Sequence, residues 1–190
     1  MTPWKQLVVL GALAAASGCT TVRQLRQPEA VPVTGKAERT RTDDALDYSV
    51  ATRIEAPPEL VWAILTDGQA YATWNSTVVK LDGTIALGQE IKLVAKVAPE
   101  RTFELRVTTF EPQKRLVWED GGSMFLGVRS FTLVPDEGGT IFTMSETYSG
   151  GMLGMIEGSL PDFTGPFEAF AADLKQHAES SRAAGAPREG

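Results

Sequence analysis

Six segments between Thr77 and Tyr148 alternate apolar and polar residues, and turn-forming residues separate them. This run constrains the fold more than any other feature. In an extended strand, residues two apart share a face, so alternation marks strands with one wet and one dry side. The segments are Thr77–Leu81, Glu90–Val97, Arg101–Phe110, Arg115–Glu119, Phe125–Val134 and Thr140–Tyr148. Asp82-Gly83, Pro99-Glu100, Glu111-Pro112, Gly121-Gly122 and the run Pro135–Gly139 punctuate them. Such connections bring neighbouring strands together antiparallel.

Upstream, Tyr48, Val50, Thr52 and Ile54 alternate in one more strand, which stops at Ala56-Pro57-Pro58. Proline is tolerated at the start of a helix, and Leu60, Val61, Ile64 and Leu65 then give a helical face. Asp67-Gly68 ends it, and Tyr71 and Trp74 mark a second short helical segment. Downstream, Phe163, Phe167, Phe170, Leu174 and His177 recur at helical spacing, so a long helix is predicted from about Leu160 to Ser180. The expected fold class is α+β, a seven-stranded antiparallel sheet curved around a C-terminal helix. The sheet's apolar face needs a cover, and only that helix is long enough. A coiling sheet and a straight rod leave space between them, which predicts an apolar pocket.

The N-terminus carries a different signal. Leu7 to Ala16 is an uninterrupted apolar run behind Lys5, too short to span a bilayer, which takes about 20 residues. It has the form of a signal-peptide core. The following Ala16-Ser17-Gly18-Cys19 resembles the lipobox of bacterial lipoproteins, with Ala16 where an aliphatic residue is usual. By that resemblance, Cys19 receives a lipid and becomes the mature N-terminus. Thr20 is not the Asp that retains such proteins at the inner membrane. An envelope location is expected, at the outer membrane facing the periplasm if the cell is Gram-negative. Residues 20–44 are polar with no apolar period and read as a flexible tether. The domain is expected over 45–181, with a loose tail at 182–190.

Composition narrows the function. The formal net charge is −6 with no basic run, so nucleic acid is not an expected partner. One cysteine allows no intrachain disulfide, and one histidine cannot build a Cys/His zinc site. No metal and no cofactor are expected, and the supply of catalytic residue types is poor.

Residues 48–180 resemble the SRPBCC superfamily, in its polyketide cyclase/dehydrase and lipid-transport branch with the START-like helix-grip fold. The resemblance rests on Ile54-x-Ala56-Pro57-x-x-x-Val61-Trp62-x-x-Leu65-Thr66-Asp67 and Tyr71-x-x-Trp74-Asn75. It continues through Gly127-x-Arg129-x-Phe131-x-Leu133, Gly139-Thr140, Ser149-Gly150 and the phenylalanine-rich helix. It implies a cavity for a hydrophobic small molecule or lipid beneath the helix and carries over no catalytic motif.

The candidate cavity residues are Tyr71, Trp74, Trp118, Arg129, Phe131, Glu146, Tyr148, Met152, Phe163, Phe167 and Phe170. Trp118 and Phe131 lie on mid-sheet strands, where they line the cavity floor or pack under the helix. Glu146 shares a parity with Phe142, Met144 and Tyr148. If that parity faces inward, Glu146 is a buried carboxylate in need of a partner, and Arg106 and Arg129 are the strand cations on offer. If Ile141, Thr143 and Ser145 face inward instead, Glu146 is solvated. The glycine- and methionine-rich stretch Ser149–Met155 reads as a lid or as a core-filling connection. Three functions stay open: a carrier or sensor of a hydrophobic molecule, a cyclase- or hydratase-like enzyme, and an interaction module with a filled core.

Overall fold

The computed structural model describes residues 31–185. The expected export signal with Cys19, the first part of the expected tether and residues 186–190 lie outside the described residues. Eight strands form one sheet among the described residues. They are β1 (Glu38–Arg41), β2 (Ala45–Ile54), β3 (Val78–Asp82), β4 (Glu90–Ala95), β5 (Thr102–Glu111), β6 (Arg115–Gly122), β7 (Phe125–Asp136) and β8 (Gly139–Ser149). Helices α1 (Pro58–Thr66) and α2 (Tyr71–Trp74) follow β2, and α3 (Leu153–Ile156) and α4 (Thr164–Gly185) follow β8. The order across the sheet is β1-β2-β8-β7-β6-β5-β4-β3, antiparallel at every step. A curved antiparallel sheet therefore grips the C-terminal helix, as its α+β pattern predicts.

The sheet has one strand more than the seven expected. Glu38–Arg41, which falls in the segment read as tether, pairs with β2 from Glu38↔Ser49 to Arg41↔Leu46. All four of its residues are exposed, so no alternation marks it in the sequence. Backbone pairing and charge hold it in place. Arg39 Nη2 and Arg41 Nε donate to the Glu157 carboxylate at 2.8 and 2.7 Å. Just upstream, Lys36 Nζ and the Ala37 N–H reach Glu168 on α4 at 3.1 and 3.2 Å.

The second difference is at α4. It starts at Thr164 rather than near Leu160, because Asp162 Oδ1 accepts from the Thr164 N–H and hydroxyl at 3.0 and 2.7 Å and so caps the first turn. Pro166 then sits where its missing N–H leaves no hydrogen bond broken. The helix continues past Ser180 to Gly185. Its buried face is Phe167, Phe170, Ala171, Leu174 and Ala178.

Two register shifts bend the far half of the sheet, one in β3 between Val78 and Lys80 and one in β5 between Val107 and Thr109. An extra residue on one strand increases local twist. The second half of α4 packs tightly, with Leu174 and Ala178 fully buried. Towards its N-terminal end the sheet curves away.

Candidate functional site

Between the first turns of α4 and the concave face of β4–β8 lies a cavity of about 420 Å³. Its walls are mostly apolar: Leu93 and Ala95 from β4, Phe103 and Leu105 from β5, Trp118 from β6, Met144 from β8 and Phe163, Phe167 and Phe170 from the helix side. Leu160, Pro161 and the exposed residues Lys96, Arg101 and Asp162 mark its mouth.

Strand register explains why one corner is polar. Glu137 and Gly138 alone connect β7 to β8, with φ of 41° and 82°. A two-residue turn with both φ values positive fixes the pairing of the whole hairpin. Arg129 thereby falls directly opposite Glu146, and Gly127 opposite Tyr148. The next strand adds Trp118 beside Arg129 and Asp120 beside Gly127. Two cross-strand rows thus floor the cavity, Glu146–Arg129–Trp118 and Tyr148–Gly127–Asp120. Gly127 leaves a gap in the second row. The nearest atoms to a Cβ built there are the Tyr148 ring at 3.4 Å and Glu146 Oε1 at 3.6 Å, both ordinary contacts.

The parity of β8 is now settled: Phe142, Met144, Glu146 and Tyr148 face inward. The Glu146 side chain is 12% exposed and that of Arg129 17%. Arg129 donates from Nε at 3.0 Å and also from Nη2 to the same carboxylate oxygen, Oε2. Its guanidinium carbon lies 5.3 Å from the centroid of the Phe167 ring, a cation–π contact that ties the ion pair to α4. Burial opposes the charge on Arg129, but the Glu146 carboxylate, aided by Tyr148 and Tyr71, holds the pKa above its ordinary value. Arg106, the other cation considered for Glu146, pairs outside with Glu90 at 3.7 Å.

Burial pushes the Tyr148 phenol far above its ordinary pKa, and the neighbouring Glu146 carboxylate adds to that. Tyr148 therefore stays a neutral hydroxyl. Its ring stacks between Phe125 and Phe163, with centroids 5.7 and 5.5 Å away. Asp120 lies at the corner's outer edge, 3.5 Å from Arg101. Burial raises its carboxyl above the usual range, Arg101 opposes the shift and Glu146 reinforces it.

Of the residues singled out in the sequence, Trp118, Arg129, Glu146, Tyr148, Phe163, Phe167 and Phe170 line the cavity. Four do not. Tyr71 is fully buried and its hydroxyl donates to the Leu65 carbonyl at 2.8 Å, joining α2 to α1. Phe131 is on the same inner face but packs under α4 beside the cavity, against Trp118 at 4.8 Å and Phe170 at 5.6 Å. Trp74 belongs to a separate dent of about 210 Å³ on the far side of α4, where His177 stacks on it at 6.1 Å. Met152 stands at the turn into α3, its N–H donating to the Met124 carbonyl at 2.9 Å, and the mouth is walled instead by Leu160 and Pro161. Sequence reasoning missed Asp120 and Gly127. The signal for both was the Glu137-Gly138 turn, which sets the register that puts them on the floor.

The comparisons with known proteins agree with this geometry. A family model described as polyketide cyclase/dehydrase and lipid transport matches residues 45–179. Among curated proteins none matches. Among solved structures, a protein of Rhodobacter sphaeroides is 23% identical with a TM-score of 0.56, over 76% of this chain and 99% of that one. A START superfamily protein of Mycobacterium smegmatis is 16% identical with a TM-score of 0.53, over 71% and 98%. The DynU16 protein of the dynemicin biosynthetic locus is 20% identical with a TM-score of 0.56, and the chain spans about half of its length, 49%. At these identities the likeness shows the fold. The family model covers most of the chain, and with the sheet, helix and cavity in the expected places this chain belongs to the polyketide cyclase/dehydrase and lipid transport family, within the helix-grip superfamily.

Proposed function

We propose that this protein binds one hydrophobic small molecule in the cavity beneath α4, with the molecule's polar group against Arg129, Glu146 and Tyr148, and acts as a carrier or sensor. The observation that carries the reading is the cavity itself: about 420 Å³ of space with apolar walls and a single polar corner. At the packing density of protein interiors, that space takes roughly 20 non-hydrogen atoms. About 0.3 kcal/mol per atom for a ligand of that size gives about 6 kcal/mol, a Kd on the order of tens of micromolar. The proposal includes the expected lipid on Cys19, which holds the domain at the envelope where such molecules partition.

Native mass spectrometry of the soluble domain, produced without the export signal, tests this reading. The expected result is a retained or titratable hydrophobic ligand at one per chain. A domain that takes up none of a broad panel of hydrophobic molecules at millimolar concentration contradicts it.

A second reading, a cyclase- or hydratase-like enzyme, draws support from the convergence of Asp120, Arg129, Glu146 and Tyr148 on one corner. Burial raises the Asp120 carboxyl, the direction that favours a proton donor over a permanent anion. Turnover of a bound ligand that is lost in Asp120→Asn, with binding retained, favours that reading. Ligand recovered unchanged after long incubation favours the carrier.

A further inference from the structure

Taking the binding reading above as its ground, we infer that the cavity selects neutral, polar-headed hydrophobes of roughly 20 non-hydrogen atoms and rejects carboxylates of the same shape. The argument is one of charge already spent. A buried arginine in an apolar pocket invites an acidic ligand, but Arg129 already gives Nε and Nη2 to Glu146 Oε2, so its charge is matched within the chain. Six charged residues line the cavity, and their formal charges cancel: Lys96, Arg101 and Arg129 against Asp120, Glu146 and Asp162. Arg101 pairs with Asp120, and Asp162 is engaged by the start of α4. Lys96 is left, exposed at the mouth, where water already solvates it.

A carboxylate pushed into the corner meets Glu146 and Asp120 at close range. It reaches Arg129 either as a second anion beside Glu146 or by displacing Glu146, a buried charge that then lacks its partner. A hydroxyl, by contrast, donates to the Glu146 carboxylate and accepts from the Tyr148 phenol, and a carbonyl accepts from the guanidinium edge. Neither adds a charge to a largely buried site. Size sets the other limit: a two-chain phospholipid is far too large, whereas a fused-ring or single-chain molecule fits.

Matched fluorescent probes test this. 1-Pyrenebutanol and 1-pyrenebutyrate differ in the head alone, and 1-dodecanol with dodecanoate provides a second, flexible pair read by displacement. At pH 7.5 the alcohols are expected to bind the wild-type protein about tenfold or more tightly than their carboxylates. Glu146→Gln frees Arg129 as an uncompensated cation and keeps the shape of the side chain. In that variant the carboxylates are expected to gain at least about tenfold while the alcohols move little. Carboxylates that bind wild type as tightly as the alcohols overturn the charge inference and leave the binding reading standing. No binding by any of the four probes removes both. If Glu146→Gln does not fold, the wild-type ratio alone decides.

Discussion

Arg129 and Glu146 are the residues on which the interior chemistry turns. Directly opposite each other on adjacent strands, they neutralise one another where little water reaches. Removing one partner leaves the other as a lone buried charge, whereas removing both leaves a nonpolar surface. Arg129→Met is therefore expected to cost about 2–4 kcal/mol in urea unfolding, towards the low side of a buried pair because both side chains keep some exposure. The double variant Arg129→Met/Glu146→Leu is expected to recover most of that loss. Equal losses in the single and double variants contradict an ion pair whose value is mutual. The pairing was only half legible beforehand. Arg129 and Glu146 stood out as charges on apolar-patterned strands, but reading Pro135–Gly139 as one broad loop left the register open. The two-residue turn at Glu137-Gly138 closes it and decides which strand cation Glu146 receives.

At the scale of elements, β1 and α4 differ most from the pattern the sequence suggests. The buried face of α4 was visible as a row of large apolar residues, yet its last member is Ala178, not His177. At 3.6 residues per turn the stripe continues from Leu174 to the fourth residue on. A small side chain there lets the helix approach closely and leaves no mark in a search for bulky residues. The strand β1 was invisible for another reason: an exposed edge strand has no dry face and hence no alternation. Charge fastens it instead, through Glu157, whose carboxyl the Arg41 and Arg39 guanidinium groups hold below its ordinary value. A lowered folded-state pKa stabilises the attachment fully above the unfolded value near 4.5, and the contribution fades as pH falls through the lowered value. Glu157→Gln is expected to reproduce the acid effect at neutral pH. Hydrogen exchange checks it: amides of Arg39–Arg41 are expected to exchange faster in the variant, with the β7–β8 hairpin unchanged. Unaltered protection of β1 shows that backbone pairing alone suffices.

Across the whole molecule, the sheet and the helix part beside β4–β6, where the cavity lies, and touch where β2 and β8 meet α4. The existence of that space followed from the order of elements, because a long rod and a coiling sheet cannot mate along their full length. Its exact walls did not follow. Tyr71, Trp74, Phe131 and Met152 are aromatic or flexible residues near the right place that other packing demands. The space itself is bounded in part by what is missing, the side chain of Gly127. The most direct test of the account is to fill that gap. In Gly127→Leu the new side chain starts from a Cβ in ordinary contact and projects into the cavity, so folding is expected to survive with a melting temperature within a few degrees of wild type. Fluorescence titration with 1-pyrenebutanol is expected to show one site in the wild-type protein and a loss of affinity of about tenfold or more in the filled variant. Binding to Gly127→Leu as tight as to wild type places the ligand elsewhere and contradicts the cavity as the site.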